Sequence, residues 1–252
     1  RARSSRAPIV PQPSSAGVRV GYGRAMTLRA DQIERMTTPL WVQAKAAVDA
    51  GDAEAAKQRI DDAVVRWRSL QDYSINWVTS LLSFIGRELG EDAVERALRR
   101  SDEEFVRARR EEGPTWDQLS AEQRARAIAS AMVGNFGECE VDEDDEKIIL
   151  SFKCGSGGRL IDEGRYEGED AYLQLREPGP RTFGRDHLPV YCAHCSVNNE
   201  MQPVERGAAP TTVEYPPEKA GERCVHHIYR DPTRLPEEVY LRIGKRPPDR
   251  ST

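Results

Sequence analysis

Between about residue 29 and residue 134, apolar residues recur at spacings of three and four, the period of helices that hide one face. Ile60, Val64, Trp67 and Leu70 make one such run. Val78, Leu81, Leu82, Ile85 and Leu89 continue it, and Gly90 is placed to stop the helix. Val94, Leu98, Ser101 and Phe105 mark another helix that ends near "EEGP". Ser120 and Gln123 have capping-box spacing at the opening of "SAEQRARAIASAMVG". The charged stretch "RRSDEEFVRARREE" mixes its signs, which suits a solvated helix face better than a nucleic-acid strip.

The pattern changes at "ECEVDEDDEK", where seven acids fall between Glu138 and Glu146. EF-hand spacing and its glycine are absent, so the run reads as a solvated turn entering the strand "KIILSFK". Shorter strand-like pieces follow, "AYLQL", "LPVYC", "TTVEY" and "CVHHIY", joined by Gly- and Pro-rich connections. The expected class is α+β: a helical N-terminal half packed on a small, mostly antiparallel sheet, with a cysteine/histidine metal site in the C-terminal half. The expected boundaries are a disordered basic tail over 1–28, a helical region over 29–134, a metal and substrate region of the same domain over 135–232, and a C-terminal tail over 233–252.

Composition narrows the function classes. The net charge is −5 and no basic patch stands in the body of the chain, which argues against nucleic acid as a partner. No apolar run approaches the roughly 20 residues of a membrane helix. Residues 1–25 carry Arg1, Arg3, Arg6, Arg19 and Arg24 and no acid, and Pro8, Pro11 and Pro13 break any helix. They read as a disordered tail or as translated sequence ahead of Met26, with a transit peptide as the alternative on composition. The five cysteines are an odd number, and no secretory signal is visible. The expected compartment is therefore the reducing cytoplasm, where clustered cysteines are more often metal ligands or catalysts than disulfides.

Four constellations carry candidate chemistry. In "CAHC", Cys192 and Cys195 have the spacing that turns two thiolates toward one ion, and Cys224 in "RCVHHIY" supplies a third. The fourth position is open to Cys154, His226, His194 or water, with Cys154 preferred. Thiolate-rich sites favour zinc, with iron second. The redox alternative, a thioredoxin-like CxxC, lacks a surrounding βαβ pattern. In "FKCGSGGRL", Gly155, Ser156, Gly157 and Gly158 permit a tight loop whose N–H groups would cradle an anion, and Arg159 would add a carboxylate fork; the plain alternative is a Gly-rich hairpin. Glu200, five residues past Cys195, is a candidate general base, against the commoner case of an exposed loop acid. If "CVHHIY" is a strand, Cys224 and His226 face one way and His227 the other.

A helical front half, a cysteine pair at a strand end and the late cysteine strand "AGERCVHHIY" resemble the L-2-amino-thiazoline-4-carboxylic acid hydrolase family. The late cysteine strand is also similar to the small-molecule-binding 4-vinyl reductase domain, whose cysteines hold zinc. The loop "CGSGGRL" departs from the first family. The resemblance implies a metal-dependent hydrolase that cleaves a C–N bond of a small carboxylate-bearing substrate, a cyclic one included. Zinc would be held by Cys154, Cys192, Cys195 and Cys224, and Glu200, His226 or His194 would move protons. The alternative is a non-catalytic sensor of small molecules with a structural zinc. A homo-oligomer is left open.

Overall fold

The computed structural model describes residues 29–110 and 114–247. The basic stretch expected to be a tail over 1–28 lies outside the described residues. The chain divides into two compact units, and the division falls between Ala63 and Val64, inside one long helix. In the first unit α1 (Ala30–Thr37) and α2 (Leu40–Asp49) meet at Pro39. Gln43 Nε2 donates to the carbonyls of Arg35 and Thr38 and closes that corner. Gly51 takes φ +75°, which a side chain would resist, and Asp52 then caps α3 (Ala53–Leu89) by accepting from the Ala55 amide.

The second unit takes the rest of α3, then α4 (Glu91–Arg110) and α5 (Ala121–Gly134). Gly90 breaks α3 from α4 with φ +83°, as its place in the sequence suggested. The capping box opens α5 as read: the Gln123 amide donates to Ser120 Oγ at 3.2 Å, and the Ser120 amide to Gln123 Oε1 at 2.9 Å.

The face that α3 turns to the core is only in part the one its apolar spacing suggested: Leu82 is buried and Ile85 packs on the core. Trp67, Leu70, Leu81 and Leu89 are exposed, whereas Gln71, Ile75, Thr79, Leu82 and Ser83 are buried. Gln71, Thr79 and Ser83 each make at least one hydrogen bond there, although Gln71 Oε1 has no partner. Gln71 Nε2 donates to the Asn135 carbonyl, Thr79 Oγ1 to the Ile75 carbonyl, and Ser83 Oγ accepts from the Leu173 amide. Ile75 and Leu82 join Val94 and Leu98 of α4 in a core with Leu160, Leu188, Val190 and Val197.

The acidic run forms a strand rather than only a turn. β1 (Glu138–Glu143) pairs antiparallel with β2 (Lys147–Lys153). Between them Asp144 Oδ1 accepts from the Glu146 and Lys147 amides. α6 (Gly157–Asp162) follows, then the short pair β3 (Gln174–Leu175) and β4 (Leu188–Pro189), where "AYLQL" and "LPVYC" shrink to two residues each. "YCAHC" is helical, not a strand end: a 3-10 turn over Val190–Cys192 leads into a π-helical turn over Cys195–Met201, and α7 (Gln202–Glu205) continues it.

β5 (Val213–Tyr215) and β6 (Cys224–Tyr229) complete a four-stranded antiparallel sheet of order β1-β2-β6-β5. Register sets Phe152 opposite Cys224, Leu150 opposite His226 and Ile148 opposite Ile228. α5 covers this face through Ala121, Ala125 and Ile128. The stretch expected to be a tail from 233 is packed through residue 247: α8 (Glu237–Leu241) brings Val239 and Tyr240 into a core with Leu235, and Ile243 is buried.

Gly155 lies where the chain leaves β2 for α6, and a Cβ there would stand 1.7 Å from the Asn135 carbonyl oxygen. A backbone neighbour cannot swing away, so Gly155→Ala should cost about 3 kcal/mol or more. Gly134, with nothing near its Cβ position, is the control. Gly134→Ala should be neutral or stabilise by up to about 1 kcal/mol. Urea denaturation of both variants checks the contrast.

Candidate functional site

A cavity of about 830 Å³ opens between α4, α5, the covered face of the sheet and the segment 194–214. Its apolar wall includes Phe105, Trp116, Ile128, Met132 and Phe152. The same lining also carries Cys154, His194, Cys195, Asn199, Glu214, Cys224 and His226. Strand alternation puts Cys224 and His226 on the buried face while His227 is only partly covered, as the sequence implied.

Glu214 is the centre of this polar group and is fully buried. Its Oε1 accepts from Asn199 Nδ2 at 2.6 Å, and its Oε2 stands 3.4 Å from His226 Nε2. That second approach is an ion-pair distance without hydrogen-bond geometry, because Glu214 Oε2 and both ring nitrogens of His226 have no hydrogen-bond partner. Burial pushes the Glu214 carboxyl up, but His226, Cys195 and His194 outweigh it and hold the carboxyl at about 2. The edge of the His226 ring also packs on Phe152, with centroids 4.7 Å apart.

Cys195 and His194 form a second pair. His194 Nδ1 lies 2.6 Å from the Tyr191 carbonyl and can only donate there, which leaves Nε2 as the acceptor. That Nε2 stands 3.6 Å from Cys195 Sγ. Burial is the first cause that holds the Cys195 thiol well above its ordinary value, and the charge of Glu214 is the next. Cys224 is pushed up in the same way, by burial and then by Glu214. Cys192 is raised by burial and by Cys154, but it lies behind the wall, in the core with Val190 and Val197. Burial likewise pushes the Tyr191 phenol up to about 12.

The four cysteines of the expected metal site are thus neighbours, yet their side chains do not converge. Among the described residues no group of three or more His, Cys, Asp or Glu side chains stands where it could hold one metal ion. The donor kinds suit zinc. The geometry does not: Cys192 faces a core, and Cys154 Sγ lies 3.0 Å from Ser156 Oγ. Cys139 is on β1, opposite Phe152, and does not line the cavity.

In the glycine loop, close packing accounts for the glycines. Gly157 is glycine because a Cβ would meet the Tyr191 ring at 2.8 Å and Cys192 Sγ at 3.2 Å. Gly157 and Gly158 are buried in the first turn of α6, and Gly155 abuts the Asn135 carbonyl. Ser156 alone of the loop lines the cavity with Cys154. Arg159 turns elsewhere: it pairs with Asp72 at 3.0 Å and Glu163 at 2.7 Å and donates to the Gly155 carbonyl. The carboxylate fork expected of it is already filled by the protein's own acids.

Glu200 is also drawn away. It is fully buried and is not among the residues that line the cavity. Arg242 grips both its oxygens, with Nε to Oε2 at 3.0 Å, and the Glu214 amide donates to Oε1 at 2.7 Å. Bonded on both oxygens and sealed from the cavity, Glu200 serves packing. Sequence inspection missed Glu214, Asn199 and Tyr191. The signal for Glu214 was present: an acid inside the apolar alternation "TTVEY".

No family model, curated protein or solved structure matches the chain.

Burial pushes the Glu200 carboxyl up to about 8, against the downward pull of Arg242. A raised carboxyl binds its proton more tightly in the folded state, so its stabilisation is complete below the ordinary value of 4.5 and is lost as pH rises through 8. Stability should fall over that window with a slope approaching about 1.4 kcal/mol per pH unit. Glu200→Gln should be less stable at pH 5 but should show a flatter profile between pH 5 and 8. Urea midpoints across that range check it; parallel profiles would reject the assignment.

Proposed function

We propose that the protein is a hydrolase of small organic molecules, with substrate in the cavity and its reacting group against Cys195, His194, Glu214 and His226. One observation carries this reading. Glu214 Oε2 and both nitrogens of His226 are buried and lack hydrogen-bond partners, and both residues line a cavity that is otherwise rich in apolar side chains. Unpaired buried polar atoms cost roughly 1–3 kcal/mol each, a cost that a bound polar group would remove. The volume suits a small heterocycle or a modest acyl compound.

The pair chemistry favours cleavage of a C–N bond. His194 Nε2 takes the Cys195 proton as the sulfur attacks the carbon of an amide or amidine. The C–S bond forms, the C–N bond breaks, and the same proton passes from His194 to the leaving nitrogen. Water then attacks the thioester carbon (a thioimidate carbon where an amidine was cleaved) and gives a proton to His194, which passes it to the departing sulfur; the product is the acid from an amide or the amide from an amidine, and the thiol is restored. His226, beside the Glu214 carboxylate, is placed to orient that water. A carboxylate on the substrate would meet Arg206, which lines the cavity and pairs with Asp102 at only 3.5 Å.

The cysteine/histidine metal site stays within this proposal on donor chemistry alone, with zinc first and iron second. The thiols held neutral by burial favour the second reading, a sensor that binds without turnover.

A panel of cyclic amidines, lactams and small amides, read by mass spectrometry for the ring-opened or hydrolysed product, tests the hydrolase. Cys195→Ala should lower turnover by about a thousandfold or more while ligand-induced thermal shifts persist. Ligands that bind with no turnover on any member would establish the sensor instead. Elemental analysis of protein purified without added metal or chelator decides the ion: close to one equivalent per chain supports it, and less than about a tenth removes it.

A further inference from the structure

The outward face of α3 within the second unit carries a stripe of large apolar side chains. Leu70, Tyr73, Trp77, Leu81 and Phe84 are 65%, 64%, 57%, 48% and 62% exposed. Single exposed apolar residues need no explanation, but a contiguous stripe does. Aromatic side chains bury about 150–250 Å² each, so these five offer on the order of 600 Å² per copy. The Tyr73 and Trp77 rings already rest against each other, with centroids 5.9 Å apart.

The stripe reads the same in both directions. From Arg66 the positions run Leu70, Tyr73, Trp77, Leu81, Phe84 and Glu88, in steps of four, three, four, four, three and four. Two antiparallel copies related by a two-fold axis at Trp77 bring a palindrome into register with itself. Leu70 then meets Phe84, Tyr73 meets Leu81, and Trp77 meets its own copy. The small residues Ser74 and Ser80, equally spaced about Trp77, flank the axis.

We propose that the protein is a homodimer joined by antiparallel packing of α3 on α3 about Trp77. The charges at the ends select this occupant. Arg66 and Glu88 are both exposed and lie eleven residues either side of Trp77. In the antiparallel pair each Arg66 faces a Glu88 at both ends of the stripe. A parallel pair would set Arg66 against Arg66 and Glu88 against Glu88. Steps of three and four are those of knobs-into-holes packing. The apolar area of two copies, on the order of 1,200 Å², reaches the lower bound of stable interfaces before any flanking residue is added.

Light scattering coupled to size exclusion, on the full chain at micromolar concentration, should give twice the 28.3 kDa chain mass. Trp77→Glu puts two like charges on the axis and should give a monomer with unchanged circular dichroism. Arg66→Glu and Glu88→Arg should each weaken the dimer several-fold at low salt, and the double variant should restore it, because exchanging both charges recreates both pairs. A monomeric wild type, meaning that the stripe takes a membrane, another protein or the chain's own first residues, overturns the proposal. So does a dimer that survives Trp77→Glu, or a double variant no tighter than the single ones.

Discussion

The carboxylate of Glu214, sealed from solvent, is the constraint around which the second half of the chain is arranged. A buried charge persists only when opposite charge and hydrogen-bond donors surround it. Asn199 and His226 reach its oxygens, and its own backbone is used as well. The Glu214 amide donates to Glu200, and its carbonyl accepts from Arg242 at 3.0 Å. One residue thus ties the π-helical turn, β5, β6 and the segment after α8 together through side chain, N–H and C=O. The polar lining of the cavity is the open side of that knot.

Two buried carboxylates one peptide contact apart divide the work. Glu200 takes the arginine and faces the packed side, while Glu214 takes the imidazole and faces the cavity. Their carboxyls move in opposite directions, one pushed up and one held down, because only at the second do the neighbouring groups outweigh burial. Such divergence between adjacent acids is what a site needs if one group is to stay ionised against a substrate.

Much of the fold was legible because it rests on periodicity. The helices to Gly134, the Ser120 cap, the stop at Gly90 and the alternation of Cys224, His226 and His227 all arise from local spacing. The side that α3 buries was legible only in part. Gln71, Thr79 and Ser83 are polar letters made tolerable by hydrogen-bond partners, two of them far away in sequence, and the apolar letters opposite them stay outside. At the site, the gathering of "CAHC" with "CVHHIY" was visible, but its geometry was not. Whether thiols share a point depends on the helical path of Val190–Met201, and whether Arg159 is free depends on Asp72 and Glu163.

The π-helical turn over Cys195–Met201 has a consequence for how the site can change by descent. A π turn is an α-helix carrying one residue too many, held because something else rewards the bulge. Each α-helical residue advances about 100°, so loss of a single residue here would let the turn relax and rotate the downstream side chains by that angle. Asn199 would leave Glu214 and Glu200 would leave Arg242, so two buried acids, one of them on β5, would lose partners. A deletion of three bases in a gene, with no substitution, would therefore loosen the knot that Glu214 makes between this turn, β5 and β6. Chain length at this one turn, more than the identity of any cysteine, decides whether the cavity keeps its polar lining.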